Sequence, residues 1–245
     1  MKNTKYDNIV EFQVSGSYAL FSDPIVRIGG EKCSYQVPTY EALKGILSST
    51  YWKPTFTWVI DAVRVMNPIQ METKGIRLIK YGGGKTDLSY YTYLKNCRYQ
   101  VRAHFEWNEN RPELIGDRNE NKHHEIAKRM IEKGGRRDIF LGTRECQGYV
   151  EPCIFGDGEG AYDETSLISF GHMYHGITYP DEAFSNETKG KMTLNFWYPE
   201  MRNGIIIFPK PQDCPNHKPL HEMKMKIFAD NSGNFTGLRE FGEVH

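Results

Sequence analysis

Two parts of the chain alternate strictly between apolar and polar side chains. Val10, Phe12 and Val14 are separated by polar residues, and residues 98–107 repeat this pattern with Tyr, Val, Ala, Phe and Trp on one face. A period of two residues is typical of a β-strand that buries one face. The alternation therefore predicts a first strand near residue 10 and a longer, amphipathic strand that ends near residue 107.

A helical spacing follows Pro38. Leu43, Ile46 and Leu47 recur three and four positions apart, and Pro54 closes the segment because proline cannot continue a helix. The pattern predicts a first helix with Tyr51 at its C-terminal end.

A second helix is predicted over residues 119–133, where Gly134 and Gly135 end the helical pattern. Four residues form its apolar stripe: Ile126, Ala127, Met130 and Ile131.

The order of these elements predicts an α+β fold. Further strands are indicated at residues 57–66 and 75–81, which gives a βαββαβ order typical of a ferredoxin-like (RRM-like) domain. After residue 150 the pattern contains strands and no convincing helix. We therefore predict a ferredoxin-like domain over residues 1–149, and a small antiparallel β-sheet region with a mobile C-terminal tail over residues 150–245.

Composition limits the possible functions. Apolar residues make up 39% of the chain, as in globular proteins, and Lys plus Arg equals Asp plus Glu at 31 each. Attraction to nucleic acid must therefore come from local clustering of charge. The sequence has neither a signal-peptide pattern nor an apolar run long enough for a membrane span, so we expect a cytoplasmic protein without a membrane partner.

Such a cluster occurs between residues 122 and 144, which hold seven Lys or Arg residues against three acids. It begins with Lys122, His123 and His124 in the predicted first turn of the second helix, where the helix dipole favours a phosphate and a neutral imidazole. A base, a cation and a Tyr hydroxyl are sufficient for RNA cleavage without a metal. The alternative is a solvated first turn of an amphipathic helix.

The cluster continues into GGRRDIFLGTREC, residues 134–146. Its glycine N–H groups and arginine guanidinium groups both suit phosphate binding. A tight turn with solvated charges explains the same residues equally well.

Other motifs indicate neither a nucleotide-binding loop nor a metal. Residues 82–86, GGGKT, lack the first glycine of a P-loop and no helical pattern follows, which favours a flexible hairpin. Two histidines near Cys214, His217 and His221, have spacings that zinc accepts, with His172 and His175 as further candidates, but no fourth ligand is evident. We therefore predict no metal and no cofactor.

Five segments together resemble a known family. They are YALFSDP at 18–24, SYQVPT at 34–39, YWKPTF at 51–56, KHH at 122–124 and the 134–146 segment. The sequence closely resembles the type I-C (subtype d) form of the family-five CRISPR-associated proteins, from about residue 14 to residue 224.

The resemblance implies a fold and an activity. Family members of this subtype have an RRM-like N-terminal domain and a small C-terminal β-sheet, cleave CRISPR repeat RNA without a metal, and retain the 5′ handle of the guide RNA. The implied catalytic residues are Tyr51, Lys122 and His123, with His123 as base and Lys122 at the phosphate. His124 leaves the identity of the base open, and Tyr40 is the less favoured alternative to Tyr51.

The resemblance also implies RNA contacts and partners. Arg136, Arg137 and Arg144 are expected at phosphates, with His124 as a further RNA contact. The expected partners are repeat or guide RNA and the backbone and large subunits of the type I-C interference complex. Binding of double-stranded DNA is left open. The rival function is a non-catalytic RNA-binding cap, and a zinc-dependent DNA-binding module is a third.

Overall fold

A single long strand organises the protein. The computed structural model describes residues 8–24, 26, 30–78 and 87–225. Its strand β5, Asp87–Trp107, is 21 residues long, and four other strands pair with it. The alternation predicted at residues 98–107 is confirmed as the C-terminal half of this strand.

The other elements follow in chain order. They are β1 (Val10–Ala19), β2 (Lys32–Cys33), α1 (Tyr40–Thr50), β3 (Phe56–Val65), β4 (Met71–Leu78), α2 (Glu120–Glu132), β6 (Ile139–Phe140), β7 (Gln147–Pro152), β8 (Ile168–Ser169), β9 (Met173–Thr178), β10 (Lys191–Trp197), β11 (Glu200–Arg202), β12 (Ile205–Ile207) and β13 (Asn216–Glu222). Neither helix in the described residues is long and apolar enough to cross a membrane.

Helix α1 has the predicted limits. The Thr39 side chain accepts a hydrogen bond from the Ala42 N–H at 3.1 Å and caps the N-terminus. Leu43 and Leu47 are fully buried against the sheet, and each burial contributes about 1.5–3 kcal/mol. Tyr51, at the C-terminal end of α1, has an extended backbone conformation. Its ring therefore points away from the direction of the helix.

Helix α2 also agrees with its predicted span. The Asn119 side chain caps it by accepting a hydrogen bond from the Lys122 N–H at 3.0 Å. Gly134, with a φ of 79°, follows the last turn and allows the backbone to reverse. The buried stripe contains Ala127 and Ile131 as predicted, and also His123.

The core sheet has the neighbour order β7-β1-β5-β3, all antiparallel, and both helices contact it. Beyond β3 the same sheet continues through β12, β11 and β8. Strands from the second half of the chain therefore extend the first sheet, and β7 itself crosses the predicted boundary at residue 150. The division into residues 1–149 and 150–245 stays a prediction.

A small second sheet has the order β13-β10-β9. In β10 the most deeply buried residues are Thr193, Asn195 and Trp197 and not the intervening apolar ones. Asn195 tolerates burial because its Nδ2 donates to Thr178 Oγ1 at 2.8 Å. The predicted hairpin at 82–86 and the tail from residue 229 lie outside the described residues.

Candidate active site

Tyr51 and His123 meet between the two helices. Tyr51 Oη lies 2.7 Å from His123 Nδ1, although 72 positions separate the residues in the chain. The extended residue at the end of α1 and the first turn of α2 bring them together. The pairing of these two sequence-predicted residues is the central feature of the site.

The hydrogen bonds of His123 assign its tautomer. His123 Nε2 lies 2.8 Å from the backbone carbonyl oxygen of Asp117, which can only accept. Nε2 therefore carries the proton in the neutral ring, and Nδ1 accepts from the Tyr51 hydroxyl group. Tyr51 thus donates its proton toward His123.

His123 is surrounded by aromatic rings. Its ring centroid lies 5.3 Å from that of Phe56 and 5.9 Å from that of Trp107, and the residue has 0% exposure. Both ring nitrogens are occupied. A substrate outside the protein can therefore exchange a proton with His123 only through a group such as Tyr51.

Asp117 joins Lys122 to this pair. Lys122 Nζ donates to Asp117 Oδ1 at 2.6 Å, and Thr55 Oγ1 donates to Asp117 Oδ2 at 2.9 Å. Burial opposes ionisation of Asp117, but the hydrogen bonds from Lys122 and Thr55 and the nearby His123 outweigh it and lower the pKa of the carboxyl. Asp117 is therefore an anion directly behind the imidazole, with its Oδ2 3.5 Å from Nε2.

The pKa of Tyr51 is raised, first by burial and then by the negative charge of Asp117, while Arg136 acts in the opposite direction. Tyr51 is 4% exposed. It consequently stays a neutral phenol at neutral pH, able to donate one proton and accept another.

The two alternatives left open by the sequence have other partners. His124 is half-buried, and its Nε2 donates to the Ile9 carbonyl oxygen at 2.9 Å, which ties α2 to the start of β1. Tyr40 lies at the opposite end of α1, where its ring stacks on His175 at 4.2 Å. Of these four residues, only Tyr51 and His123 bond to each other.

The three predicted arginines are exposed. Arg136, Arg137 and Arg144 make no side-chain hydrogen bond or ion pair within the described ranges, so their guanidinium groups face solvent. Arg136 is close enough to Tyr51 to influence its pKa. RNA that approached the buried pair would meet Lys122 and Arg136 first.

The glycines of this segment do not offer free N–H groups. The Gly134 N–H donates to Ile131 O and the Gly135 N–H to Met130 O, both at the end of α2. Gly142, with a φ of 97°, is required because a Cβ there would overlap the Leu20 carbonyl oxygen. Of the two interpretations left open by the sequence, the structure therefore shows a turn at these glycines, with the Gly134 and Gly135 N–H groups bonded within the protein.

The residues considered for zinc are separately bonded. His217 Nδ1 lies 2.8 Å from Asn195 Oδ1, and the Cys214 thiol faces the Lys210 carbonyl oxygen. Among the described residues, no group of three or more His, Cys, Asp or Glu side chains is arranged to hold a metal ion.

Asp117 and Thr55 are the site residues that the sequence reasoning missed. Thr55 stands inside the YWKPTF segment, and Asp117 lies two positions before the cap of α2. An acidic residue shortly before a helix that begins with a Lys-His pair could have indicated Asp117. Nothing local indicates that Thr55 would reach it.

The comparisons with known proteins point in one direction. A model of the Cas5d family, described as CRISPR-associated protein (Cas_Cas5), matches residues 9–209. The CRISPR pre-crRNA endoribonuclease Cas5d of Mannheimia succiniciproducens is 32% identical, with 82% of this chain and 95% of the relative covered. The enzyme of the same name from Thermus thermophilus is 28% identical, with 82% and 91% covered.

A solved structure has the same fold. The crystal structure of a CRISPR-associated protein is 37% identical and superimposes with a TM-score of 0.72, covering 86% of this chain and 96% of that one. The large antiparallel sheet and the three-stranded sheet therefore form an arrangement found in a CRISPR-associated protein.

Proposed function

The chain belongs to the Cas5d family of CRISPR-associated proteins, and on that premise we propose that it is a metal-independent endoribonuclease. Its substrate is CRISPR repeat RNA in the precursor transcript, and its product is mature guide RNA. Relatives named as pre-crRNA endoribonucleases support this proposal, together with one geometric observation, the hydrogen bond between Tyr51 and His123.

The proposed reaction begins at the Tyr51 hydroxyl group. Its oxygen accepts the proton of a ribose 2′-OH while its own proton passes to His123 Nδ1, 2.7 Å away. The 2′-oxygen attacks the adjacent phosphorus, and the bond to the 5′-oxygen breaks as that oxygen takes up a proton from a water molecule. The proton held by His123 then returns to Tyr51, whose hydroxyl group releases one to solvent. The products are a 2′,3′-cyclic phosphate and a 5′-hydroxyl.

Asp117 explains how a buried histidine accepts this proton. After transfer His123 is an imidazolium, whose Nε2–H points at the Asp117 carbonyl oxygen at 2.8 Å with the carboxylate close by. An anion behind the imidazole stabilises the charge that develops on it, as in the Asp-His pair of serine proteases.

Lys122 supplies the positive charge for the phosphate. Its side chain is about half exposed, and it lies in the first turn of α2, where the helix dipole also favours an anion. A cation at this position stabilises the additional charge on the phosphorane-like transition state.

The flanking basic residues are proposed to bind the RNA. Arg136, Arg137 and Arg144 are assigned to phosphates, because their guanidinium groups are exposed and uncommitted within the described residues. For His124 the RNA contact is restricted to its Nδ1 side, since Nε2 is bonded to Ile9.

The wider assignments follow from the family. We interpret the β7-β1-β5-β3 core as ferredoxin-like. The protein is proposed to act in the cytoplasm, to keep the 5′ handle of its product, and to join the backbone and large subunits of the type I-C interference complex.

The second candidate is a non-catalytic RNA-binding cap. One observation favours it, namely that His123 is completely buried with both nitrogens bonded, as in a purely structural histidine. Under this reading Tyr51 and His123 only lock the two helices together.

Cleavage of labelled repeat RNA in excess EDTA separates the two. The wild type is compared with His123→Ala, Lys122→Ala and the matched control Lys128→Ala, an exposed lysine of the same helix that pairs with Glu125 at 3.2 Å. Thermal unfolding and RNA affinity are measured for every variant. We expect the wild type and Lys128→Ala to cleave, and the other two to bind RNA with little cleavage.

Two results contradict the proposal. Binding without cleavage by the wild type supports the cap, and cleavage abolished by EDTA rules out a metal-independent reaction. If His123→Ala unfolds, the decision rests on Lys122→Ala, whose side chain is exposed and contributes little to stability.

A further inference from the structure

A small cavity lies beside the N-terminal half of α1 and shares Trp107 with the surroundings of His123. Its volume is about 270 Å³, and its walls include Thr57 and Val59 of β3, Trp107 and Asn108 at the end of β5, and Phe184. Pockets for drug-sized ligands measure about 300–1,000 Å³. The cavity is therefore of a size for one ring system and not for a larger ligand.

Asn108 presents an unused donor in this cavity. The residue is 7% exposed, and its Oδ1 accepts the Asn110 N–H at 3.0 Å, which identifies the other amide atom as Nδ2. Nδ2 has no hydrogen-bond partner within the described residues and remains accessible on the cavity side. A buried amide with a free donor suits a ligand that carries an acceptor.

The charges in the wall are paired. Lys44 bonds to Glu182 at 2.6 Å, Lys210 to Glu106 at 2.5 Å, and Glu109 to Arg118 at 2.9 Å. These pairs include all five charged residues that line the cavity. The interior is thus suited to an uncharged polar ring and offers no free cation for a phosphate.

Two aromatic side chains frame the cavity. Phe184 is 36% exposed, and Trp107 is half-buried. Trp107 is also in contact with His123, whose ring centroid is 5.9 Å away. Trp107 therefore belongs both to the cavity wall and to the surroundings of the Tyr51–His123 pair.

We propose that this cavity binds one unpaired nucleobase of the repeat RNA. Single-stranded RNA is read by bases that leave the stack, lie against aromatic side chains and bond through their edges. Phe184 and Trp107 supply the aromatic surfaces, and Asn108 Nδ2 supplies the donor for a ring nitrogen or carbonyl oxygen. The inference rests on the proposed function, because it takes repeat RNA as the ligand.

Abasic substitution tests the proposal directly. Repeat RNAs with a single abasic site at each position around the cleavage site are titrated against the wild type, Phe184→Ala and Asn108→Asp. Asn108→Asp keeps the acceptor for Asn110 and removes the donor. The matched control is Tyr198→Ala, an aromatic residue with 57% exposure that does not line this cavity.

In the wild type and in Tyr198→Ala, we expect one abasic position to weaken binding about tenfold more than its neighbours, the usual size of a stacking contact. In Phe184→Ala and Asn108→Asp, the abasic substitution at that position should weaken binding no more than its neighbours do. The effects of the other abasic positions should not change. Phe184 is partly exposed, so its variant is expected to fold even where Asn108→Asp does not.

The failure of this proposal is distinct from the failure of the nuclease. If the RNA is cleaved but every abasic position weakens binding equally, the base pocket alone is overturned. The same holds if one position weakens binding most in the wild type and in all variants. A position-specific cost that is lost in Phe184→Ala, in a protein that never cleaves, supports the pocket and overturns the nuclease. Absence of repeat RNA binding by the wild type overturns both.

Discussion

Helix α1 contacts a buried histidine at each of its ends. At the C-terminal end, the Tyr51 hydroxyl group bonds to His123, whose second nitrogen faces the Asp117 carbonyl and carboxylate groups. At the N-terminal end, the Tyr40 ring stacks flat on His175. Nε2 of that histidine faces the Pro209 carbonyl oxygen at 3.0 Å, and Nδ1 has no partner among the described residues.

The two histidines differ in what surrounds them. Burial lowers the pKa of His175 to about 3, and the positive charge of Lys44 acts in the same direction. His123 has an anion, Asp117, beside it instead. The same pair of residue types is thus a neutral stack near a cation at one end of α1, and a hydrogen-bonded pair beside an anion at the other.

The largest expected difference between the two ends of α1 is in the rate of RNA cleavage after removal of the Tyr51 or the Tyr40 hydroxyl group. Tyr51→Phe should lower the cleavage rate of bound RNA by about 10²–10⁴, the range for loss of a positioned acid-base group. Tyr40→Phe should leave the rate nearly unchanged, because its hydroxyl group contacts the Trp58 and Ile60 backbone and not His123. Single-turnover cleavage of labelled repeat RNA measures both.

Equal rates for the two variants would contradict the assignment of Tyr51. Thermal unfolding of both serves as the control, because Tyr51→Phe also leaves His123 Nδ1 without a partner.

A smaller effect is expected in the pH dependence of stability. The unfolded chain protonates a histidine near pH 6.5, whereas folded His175 resists protonation down to about pH 3. The stability that neutral His175 contributes is therefore fully present above about pH 6.5 and is lost as the pH falls toward 3. Between pH 7.5 and pH 5 its contribution falls by about 2 kcal/mol.

His175→Gln keeps a donor for Pro209 and cannot titrate. Urea unfolding at the two pH values should show a loss of stability that is about 2 kcal/mol smaller in this variant than in the wild type. An equal loss in both proteins would mean that folded His175 accepts a proton readily.

The smallest expected effect comes from Asp117→Asn. The variant keeps the backbone carbonyl that bonds to His123 and an oxygen for Thr55, but it removes the anion. Since the pKa of Asp117 is lowered, the wild type carries this charge at neutral pH. Cleavage at pH 7.5 should fall about tenfold, equivalent to about 1.4 kcal/mol of transition-state stabilisation.

Retention of full activity by Asp117→Asn would show that the carboxylate does not support proton transfer to His123. RNA affinity is the control, because the same change releases Lys122 from its ion pair and is expected to leave binding intact or to increase it.

Local pattern predicted the elements that carry the site. The apolar stripes, the closing Pro54 and Gly134, and the strand alternation are properties of short segments, so helices α1 and α2 were predicted with nearly the observed limits. The pairing between strands was not predicted. Nothing in the short strand β12 indicates that it would pair with β3 and extend the first sheet, because pairing depends on the edges that other segments leave open.

Sequence by itself also determined where the candidate site residues lie. It placed Tyr51 at one helix end and Lys122 with His123 at the start of the other, and the resemblance to a known family predicted their roles. Tertiary structure alone decided that Tyr51 and His123 bond to each other, that the Asp117 carboxylate lies beside the imidazole, and that Trp107, which lines a cavity, contacts the same histidine. The physical reason is that periodicity encodes which face of a segment is buried, whereas a contact across 72 positions depends on how two helices pack on a twisted sheet.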